Sequence, residues 1–363
     1  MNRHTYLSQP NMNNITSKYY TAVITADGKV VYWDKRTLQF DWNNNDWVND
    51  DWDNDDWDND CNDDDCQLNF SENVENVVSI KSSTQHSVIL TAEGQVICTG
   101  YNKYGQCDVP SDLEHVVQIG CSSLFTAALT AEGEIVCWGY GAEQWNIPSE
   151  VYKHICCGHS HITALTMDGR VVCCGANDRR QCDIPVDLEN IVSIGCDGNY
   201  NTALTAEGQV VGWGTLTIND NYLILRELLH NLRNVVTVFH GESQCAALTV
   251  DGQVICWGEC GNKGENGVHN MPEYVRNVTF VSCGLYHFAA ITADGCVVCW
   301  GDNRRGQCKV PADLKNVVGI CCGYYHTTAI TAEGRVVCWG NNSFGQCEVP
   351  DGLVANTGMV VLM

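Results

Sequence analysis

The chain has 363 residues, a formal net charge of −24 and a hydrophobic content of 44%, which is enough for a sizeable core. A surface this acidic repels phosphate backbones, which argues against direct nucleic-acid binding and favours a protein partner with a basic face, or self-assembly. Apolar runs fall short of the roughly 20 residues that span a bilayer, and residues 1–20 are polar and unlike a signal peptide. We therefore expect no membrane contact, and a place in the cytoplasm or in a virion.

Eight short turns punctuate the chain, and each has Asp or Glu before a glycine. They are spaced 66 residues apart at first and then 36 to 44 residues apart, which indicates one repeat rather than several domains. Asp-Gly is a strong hairpin signal, because a type I′ turn needs positive φ at both central residues. The turn glycines are Gly28, Gly94, Gly133, Gly169, Gly208, Gly252, Gly295 and Gly334.

Each turn lies between two short apolar runs, such as TTAIT and RVVCW around Gly334. Runs that are apolar on both faces are typical of a sheet packed between neighbouring sheets. The pattern predicts an all-β fold, a closed β-propeller of about eight blades with seven also open, in a single domain over residues 1–363. A third strand precedes most pairs, at 77–80, 116–119, 154–157, 191–194, 235–238, 278–281 and 317–320.

One end of the chain lacks a strand, and the other end has a strand without a partner. The first hairpin, at residues 20–33, has only an Asn-rich leader before it, whereas residues 359–362 (MVVL) follow the last hairpin without a partner. An open ring would leave sheet edges unpaired. We therefore expect the C-terminal strand to close the ring by pairing with the N-terminal hairpin.

Residues 41–66 interrupt the first blade as an acidic low-complexity insertion of Trp, Asp and Asn. The segment holds 12 Asp and no Lys or Arg, and Trp42, Trp47, Trp52 and Trp57 recur every five residues, which fits neither a strand nor a helix. One interpretation is a solvated loop without regular structure. The other is an acidic and aromatic docking peptide for a basic partner, with the four tryptophans as the candidate partner-binding residues.

Two further connections are long. Residues 215–234 and 259–277 replace the shorter GQC segment of other repeats, and NYLILRELLHNL within the first has the pattern of a short amphipathic helix. Because binding on propellers usually lies in loops, these segments are also candidates for partner contact.

An aromatic or polar residue lies eight positions before each turn glycine. Four of the eight are histidines, but they are dispersed along the chain, and Phe and Tyr replace them in other repeats. A metal site would need convergence and would not accept Phe, so we expect structural histidines whose ring nitrogens are satisfied by the backbone. The position is occupied by Tyr20, His86, Phe125, His161, Tyr200, Gln244, His287 and His326.

The 23 cysteines fall mainly at three repeat-equivalent places: before a tryptophan position, within GQC, and after the first strand of a blade. A buried thiol packs as a small hydrophobe, which is the favoured interpretation. Disulfides in an oxidised assembly remain an alternative. A zinc site fits less well, because the CxxC of Cys296 and Cys299 has no second CxxC at zinc-like spacing.

The repeat consensus, VVxIxCGxxHTxALTAxGxVVCWGxNxxGQCxVPxDLxN, resembles the repeat of the regulator of chromosome condensation family, most fully at residues 278–311 and 317–350. The resemblance implies a propeller, usually of seven blades. Family members include nucleotide-exchange factors for small GTPases, ubiquitin-ligase adaptors and binding modules. The Asn-, Asp- and Cys-rich composition resembles that of proteins of giant DNA viruses.

The sequence contains no GxSxG, P-loop or HExxH motif. We therefore predict a non-enzymatic protein–protein interaction or structural propeller, without catalytic, metal or cofactor residues, and a virion-associated component is one form of this hypothesis. The alternative is a guanine-nucleotide exchange factor or a ubiquitin-ligase adaptor-like regulator, which the resemblance alone implies.

Overall fold

The computed structural model describes residues 15–17, 21–33, 74–215, 229–241, 244–258, 268–270, 272 and 275–357. Eight separate antiparallel sheets follow one another along the chain, seven of three strands and one of four. This arrangement confirms the predicted all-β propeller, and it settles the number of blades at eight rather than seven.

Each blade consists of an inner, a middle and an outer strand, numbered here in chain order. The inner strands are β1 (Ile15–Ser17), β4 (Val77–Ser82), β7 (Val116–Cys121), β10 (Tyr152–Cys157), β13 (Ile191–Asp197), β16 (Val235–Gly241), β20 (Val278–Cys283) and β23 (Val317–Cys322). The middle strands are β2 (Thr21–Ile24), β5 (His86–Thr91), β8 (Phe125–Thr130), β11 (His161–Thr166), β14 (Tyr200–Thr205), β17 (Gln244–Thr249), β21 (His287–Thr292) and β24 (His326–Thr331). The outer strands are β3 (Val30–Trp33), β6 (Val96–Gly100), β9 (Ile135–Gly139), β12 (Val171–Gly175), β15 (Val210–Gly214), β18 (Val254–Gly258), β22 (Val297–Gly301) and β25 (Val336–Gly340), and β19 (Val268–Asn270) adds a fourth strand beside β18.

The inner strands contact one another in a closed circle. Each packs against the inner strand of the next blade, and β23 of the last blade packs against β1 of the first. The middle strands are buried along nearly their whole length, since each is covered on both faces by neighbouring blades. This burial explains why their sequences are apolar on both faces, as a sandwiched sheet requires.

The first and last blades meet through packing and hydrogen bonds. Val23 and Trp33 of the first blade share one buried cluster with Ile330 and Val336 of the last. The chain that follows the last blade also reaches the first hairpin, where the Ala26 N–H donates to the carbonyl of Val354 at 3.0 Å. The ring is thus joined over residues 354–356. The predicted pairing of residues 359–362 lies outside the described residues.

The first blade departs from the sequence analysis, which found no strand before its hairpin. Ile15–Ser17 forms β1 and pairs antiparallel with β2, in the register Ile15↔Val23 to Ser17↔Thr21. The expectation was wrong because this strand is only three residues long and carries two hydroxyl residues, so it has none of the Val-Val signature of the other inner strands.

Two faces of the ring are distinguished below. The turn face carries the turns between middle and outer strands. The loop face is opposite, where inner strands pass to middle strands and outer strands end. Of the connection predicted to form a short helix, residues 229–231 are helical, and residues 216–228 lie outside the described part. Within the described part, no helix has the length and apolar character needed to cross a membrane.

Candidate functional site

The recurring histidines hold neighbouring blades together. In four blades the histidine Nε2 lies within hydrogen-bond distance of a side chain one repeat further round the ring. The pairs are His86 with Thr126 Oγ1 (2.8 Å), His161 with Asn201 Oδ1 (2.9 Å), His287 with Thr327 Oγ1 (2.9 Å) and His326 with Thr21 Oγ1 (3.1 Å). We call this contact, together with the glutamine carbonyl described next, the blade lock.

The blade lock is completed by the carbonyl of the GQC or RQC glutamine. The Gln307 carbonyl accepts from Thr327 Oγ1 and from the Trp339 indole, both at 2.9 Å. The Gln346 carbonyl does the same with Thr21 at 3.1 Å and Trp33 at 2.9 Å. The histidine, glutamine and tryptophan of the repeat are therefore parts of one structural device between successive blades, since buried polar groups need partners.

The histidines have the expected structural role, but their hydrogen-bond partners differ from the predicted backbone groups. Their Nε2 partners are side chains of the next blade rather than backbone groups. The sequence carries a signal for this pairing: the residue 40 positions after His86, His161 and His287 is Thr or Asn. After Phe125 the equivalent residue is Ile162, which cannot hydrogen-bond.

Burial keeps these histidines neutral. It lowers the pKa of His86 and His287 to about 4 and that of His326, with a further small effect of His287, to about 3. Each is fully buried. Each is therefore uncharged at neutral pH, and its Nε2 is committed to the next blade. Among the described residues, no three His, Cys, Asp or Glu side chains come together as a metal site.

The turn face carries one exposed carboxylate in every blade, and sequence analysis treated these residues only as turn formers. We call this set the acidic ring. Its members are Asp27, Glu93, Glu132, Asp168, Glu207, Asp251, Asp294 and Glu333. Because they occupy equivalent turns of successive blades, they form a circle of negative charge on one face of the propeller.

The turn itself explains why an acidic residue stands there. In the first blade, Thr25 Oγ1 accepts from the Lys29 N–H at 3.0 Å and donates to Asp27 Oδ1 at 2.5 Å. The same hydroxyl–carboxylate contact joins Thr249 to Asp251, also at 2.5 Å. The glycine that follows has positive φ, 78° at Gly28, a conformation that glycine adopts without strain. One carboxylate oxygen is thus used by the turn, and the residue as a whole stays exposed.

Two glutamates of the acidic ring accept hydrogen bonds from asparagine side chains. Asn76 Nδ2 donates to Glu93 Oε1 at 2.9 Å, and Asn316 Nδ2 donates to Glu333 Oε1 at 3.2 Å. These asparagines stand just before the inner strands with positive φ, 56° and 54°, which Asn tolerates better than most residues. Each Glu therefore has a preferred orientation while its side chain remains at the surface.

Hydrogen bonds favour the charged form of three aspartates of the acidic ring. The Thr25 hydroxyl lowers the pKa of Asp27, and the Thr292 hydroxyl lowers that of Asp294. Hydrogen bonds from Thr166 and then Arg170 lower the pKa of Asp168 to about 2. These carboxylates are fully ionised at neutral pH.

The turn face also has one open depression of about 620 Å³ beside Asp294. Val275 and Val298 contribute apolar wall, and Arg276 and Asp294 contribute opposite charges. Such a site suits contact with a surface side chain of a partner more than enclosure of a small molecule, since small-molecule sites bury most of their ligand.

Lys81 is a second feature that sequence analysis missed. It lies on inner strand β4 and is solvent accessible, and the nearby thiols of Cys121, Cys157 and Cys321 belong to inner strands of three other blades. The side chain therefore points to the centre of the ring, where surrounding protein lowers its pKa.

The described cysteines are in the reduced, thiol form, and most are buried or half-buried. Cys296, the first residue of the CxxC, is exposed, whereas Cys299 is half-buried. The tryptophans of the repeat are 1 to 8% exposed and fill space between blades. The four tryptophans proposed for partner binding, Trp42, Trp47, Trp52 and Trp57, lie outside the described residues.

Five repeats match the family model described as "Regulator of chromosome condensation (RCC1) repeat". The matched segments are residues 77–106, 116–143, 152–181, 278–307 and 317–346. They agree with the segments that carry the resemblance in the sequence. Among curated proteins, none matches the chain significantly.

Solved structures share the propeller fold at low sequence identity. Human WBSCR16 is 20% identical, with a TM-score of 0.54, over 73% of this chain and 88% of that one. The CRINKLY WD40 ectodomain of the Arabidopsis thaliana receptor kinase ACR4 is 19% identical, with a TM-score of 0.52, over 78% of this chain and 98% of that one. The ectodomain of the Physcomitrella patens receptor kinase CR4 is 18% identical, with a TM-score of 0.52, over 73% of each chain.

Proposed function

We propose that this chain is a non-catalytic protein-binding propeller that holds a basic segment of a partner against the acidic ring. The observation that carries the proposal is the exposure of one carboxylate per blade at the same turn, eight in all, on one face. A circle of like charges creates an attractive potential for a cationic surface, and it speeds and orients encounter.

The charge of this face is only partly neutralised by its own neighbours. Lys29 lies 3.7 Å from Asp27, and Arg170 lies 3.0 Å from Asp168. Lys or Arg follows the turn glycine only in the blades of Asp27, Asp168 and Glu333. Glu207, Asp251 and Asp294 belong to the longest run of adjacent blades whose turns supply no cation, so we place the centre of the contact there.

The buried polar groups support a binding role rather than catalysis. The repeat histidines and glutamines are committed to the blade lock, whereas an active site needs convergent titratable groups that face a substrate. A more specific version of this proposal is that the same face binds another protein within a viral particle, since assembly of a particle requires binding and no catalysis.

The proposal is tested with a synthetic Arg- and Lys-rich peptide and two matched triple variants of the full chain. The first variant, Glu207→Gln, Asp251→Asn, Asp294→Asn, removes three charges from the acidic ring. The second, Asp108→Asn, Asp183→Asn, Glu348→Gln, removes three exposed charges that are not part of the acidic ring. Each lies two positions after the glutamine of a GQC or RQC segment. The net charge changes equally in both.

We expect peptide affinity to fall in the first variant only, and to weaken with salt. Equal weakening in both variants would show that net charge alone attracts the peptide, which would contradict a specific face. Nucleotide release from a panel of small GTPases is measured in parallel, because strong acceleration by the chain alone would replace this proposal with the exchange-factor alternative.

A further inference from the structure

Two pairs of cysteines bring their sulfur atoms into contact. Cys173 Sγ lies 3.0 Å from Cys182 Sγ, and Cys338 Sγ lies 3.0 Å from Cys347 Sγ. In each pair the first cysteine is on an outer strand and the second is nine positions later, in the loop that leaves that strand. The contact occurs in two of the four repeats that carry cysteines at both positions.

The loop is held so that the second thiol returns to the strand. The Cys182 N–H donates to Asn177 Oδ1 at 2.9 Å, and the Cys347 N–H donates to Asn342 Oδ1 at 2.9 Å. The first thiol is oriented from the other side, because the Thr163 hydroxyl lies 3.4 Å from Cys173 Sγ. The two sulfurs are thus kept close by hydrogen bonds on both sides.

We propose that Cys173–Cys182 and Cys338–Cys347 are dithiol modification sites that hydroperoxides oxidise to disulfides within the blade. A disulfide has an S–S length of about 2.05 Å, so each pair needs an approach of only about 1 Å. All four thiols are half-buried, which leaves a path for a small oxidant such as hydrogen peroxide. Spacing of nine residues and contact of the sulfurs are both needed: Cys98 and Cys107, like Cys299 and Cys308, have this spacing, but their sulfurs do not meet among the described contacts.

The reaction balances without any other reagent. One thiolate attacks a peroxide oxygen, the O–O bond breaks, and a sulfenic acid and water form after proton uptake. The second thiol then attacks the sulfenic sulfur, the S–O bond breaks, and the S–S bond forms with release of a second water. The two sulfurs together lose two electrons, and hydrogen peroxide gains them.

One thiol of each pair is favoured as the attacking group. The hydrogen bond from Cys173 lowers the pKa of Cys182. Burial opposes ionisation of Cys338, but its contact with Cys347 Sγ and the hydrogen bond that Thr328 donates to it outweigh burial and lower its pKa. Because the thiolate is the nucleophile, these positions react before thiols whose pKa burial raises, such as Cys322.

Peptide mapping after oxidation separates the two pairs. The reduced full chain is treated with hydrogen peroxide, unreacted thiols are alkylated, and the protein is digested with trypsin without reduction. Arg179 and Arg180 lie between Cys173 and Cys182, so a disulfide there joins two peptides. The peptide that begins at Val336 holds only Cys338 and Cys347, so a disulfide there appears as a loss of two hydrogens.

We expect both signatures to appear. Cys321 and Cys322, which share the peptide 316–335, should stay reduced and therefore be alkylated. Cys173→Ser should abolish the linked species, and Cys174→Ser, in the same peptide, should leave it in place. Dithiothreitol should restore four alkylatable thiols. Oxidation of Cys321 and Cys322 before either pair, or a linked species that survives Cys173→Ser, would overturn the proposal. None of these results depends on the acidic ring.

Discussion

Trp33 donates its indole N–H to the backbone carbonyl of Gln346, 313 positions later in the chain, at 2.9 Å. This bond joins the last blade to the first. Trp339 makes the equivalent bond to the Gln307 carbonyl, which joins the last two blades. Closure of the ring therefore uses the ordinary blade lock, and the first predictions concern this contact.

Loss of the indole donor should destabilise the closing interface as much as an internal one. We expect Trp33→Phe and Trp339→Phe each to cost about 1 kcal/mol more than Trp300→Phe, because a buried carbonyl loses a partner. Trp300 is a matched control: it is equally buried, and its N–H has no acceptor among the described residues. Urea denaturation measures all three. Equal loss in the three variants would contradict a specific contribution of the bond.

Stability should fall as the pH decreases from about 6.5 towards 4. An unfolded histidine has a pKa near 6.5, whereas burial lowers the pKa of His86 and His287 to about 4. In this window the unfolded chain takes up protons that the folded chain does not. The stabilisation is therefore fully present above pH 6.5, and each such histidine removes up to about 1.4 kcal/mol per pH unit below it.

The variant His287→Gln tests this pH dependence, because Gln244 already occupies the equivalent position in another blade. Denaturation midpoints at pH 7, 6 and 5 should fall less steeply in the variant than in the wild type. Parallel slopes would show that His287 does not contribute to the acid sensitivity.

Binding through the acidic ring should persist into mild acid. Hydrogen bonds lower the pKa of Asp27 and Asp294, and that of Asp168 reaches about 2. These carboxylates stay charged at pH 5, so the affinity for the basic peptide should be similar at pH 7 and pH 5 at constant ionic strength. Circular dichroism at pH 5 verifies that the ring is folded. A steep loss of affinity in a folded protein would contradict a contact that includes Asp294.

Replacement of a glycine by alanine should cost most where the added Cβ meets the next blade. Gly208 has φ of 76°, and a Cβ there would lie 3.0 Å from the backbone nitrogen of Val235 in the next blade. Gly352 also has φ of 76°, but nothing lies within 4 Å of its Cβ position. Both Ala variants carry the cost of positive φ, about 1 kcal/mol. Gly208→Ala should lower the melting temperature further, and equal melting temperatures would contradict tight packing between blades at this turn.

The repeat made most of the fold predictable. Turn glycines and apolar strands recur with little change, so eight blades followed from their number and spacing. The three-residue strand at Ile15–Ser17 was missed, because a short polar strand is defined by its neighbours rather than by its own pattern.

The candidate site was less predictable, for two physical reasons. A contact such as His86 with Thr126 spans one repeat, and its meaning depends on a ring that places successive blades face to face. The acidic ring was visible as eight turns, yet Asp and Glu before glycine also have a local role in the turn. Only the shared exposure on one face distinguishes the binding hypothesis from turn chemistry.

Affinity capture from the native source, with the wild-type chain and the two triple variants as baits, tests the binding role most directly. The account predicts a basic partner that is retained by the wild type and by Asp108→Asn, Asp183→Asn, Glu348→Gln. The acidic-ring variant Glu207→Gln, Asp251→Asn, Asp294→Asn should bind it about tenfold more weakly, as expected for the loss of three exposed ion pairs. Recovery of the same partner in equal amount by all three baits would contradict the proposed role of the acidic ring.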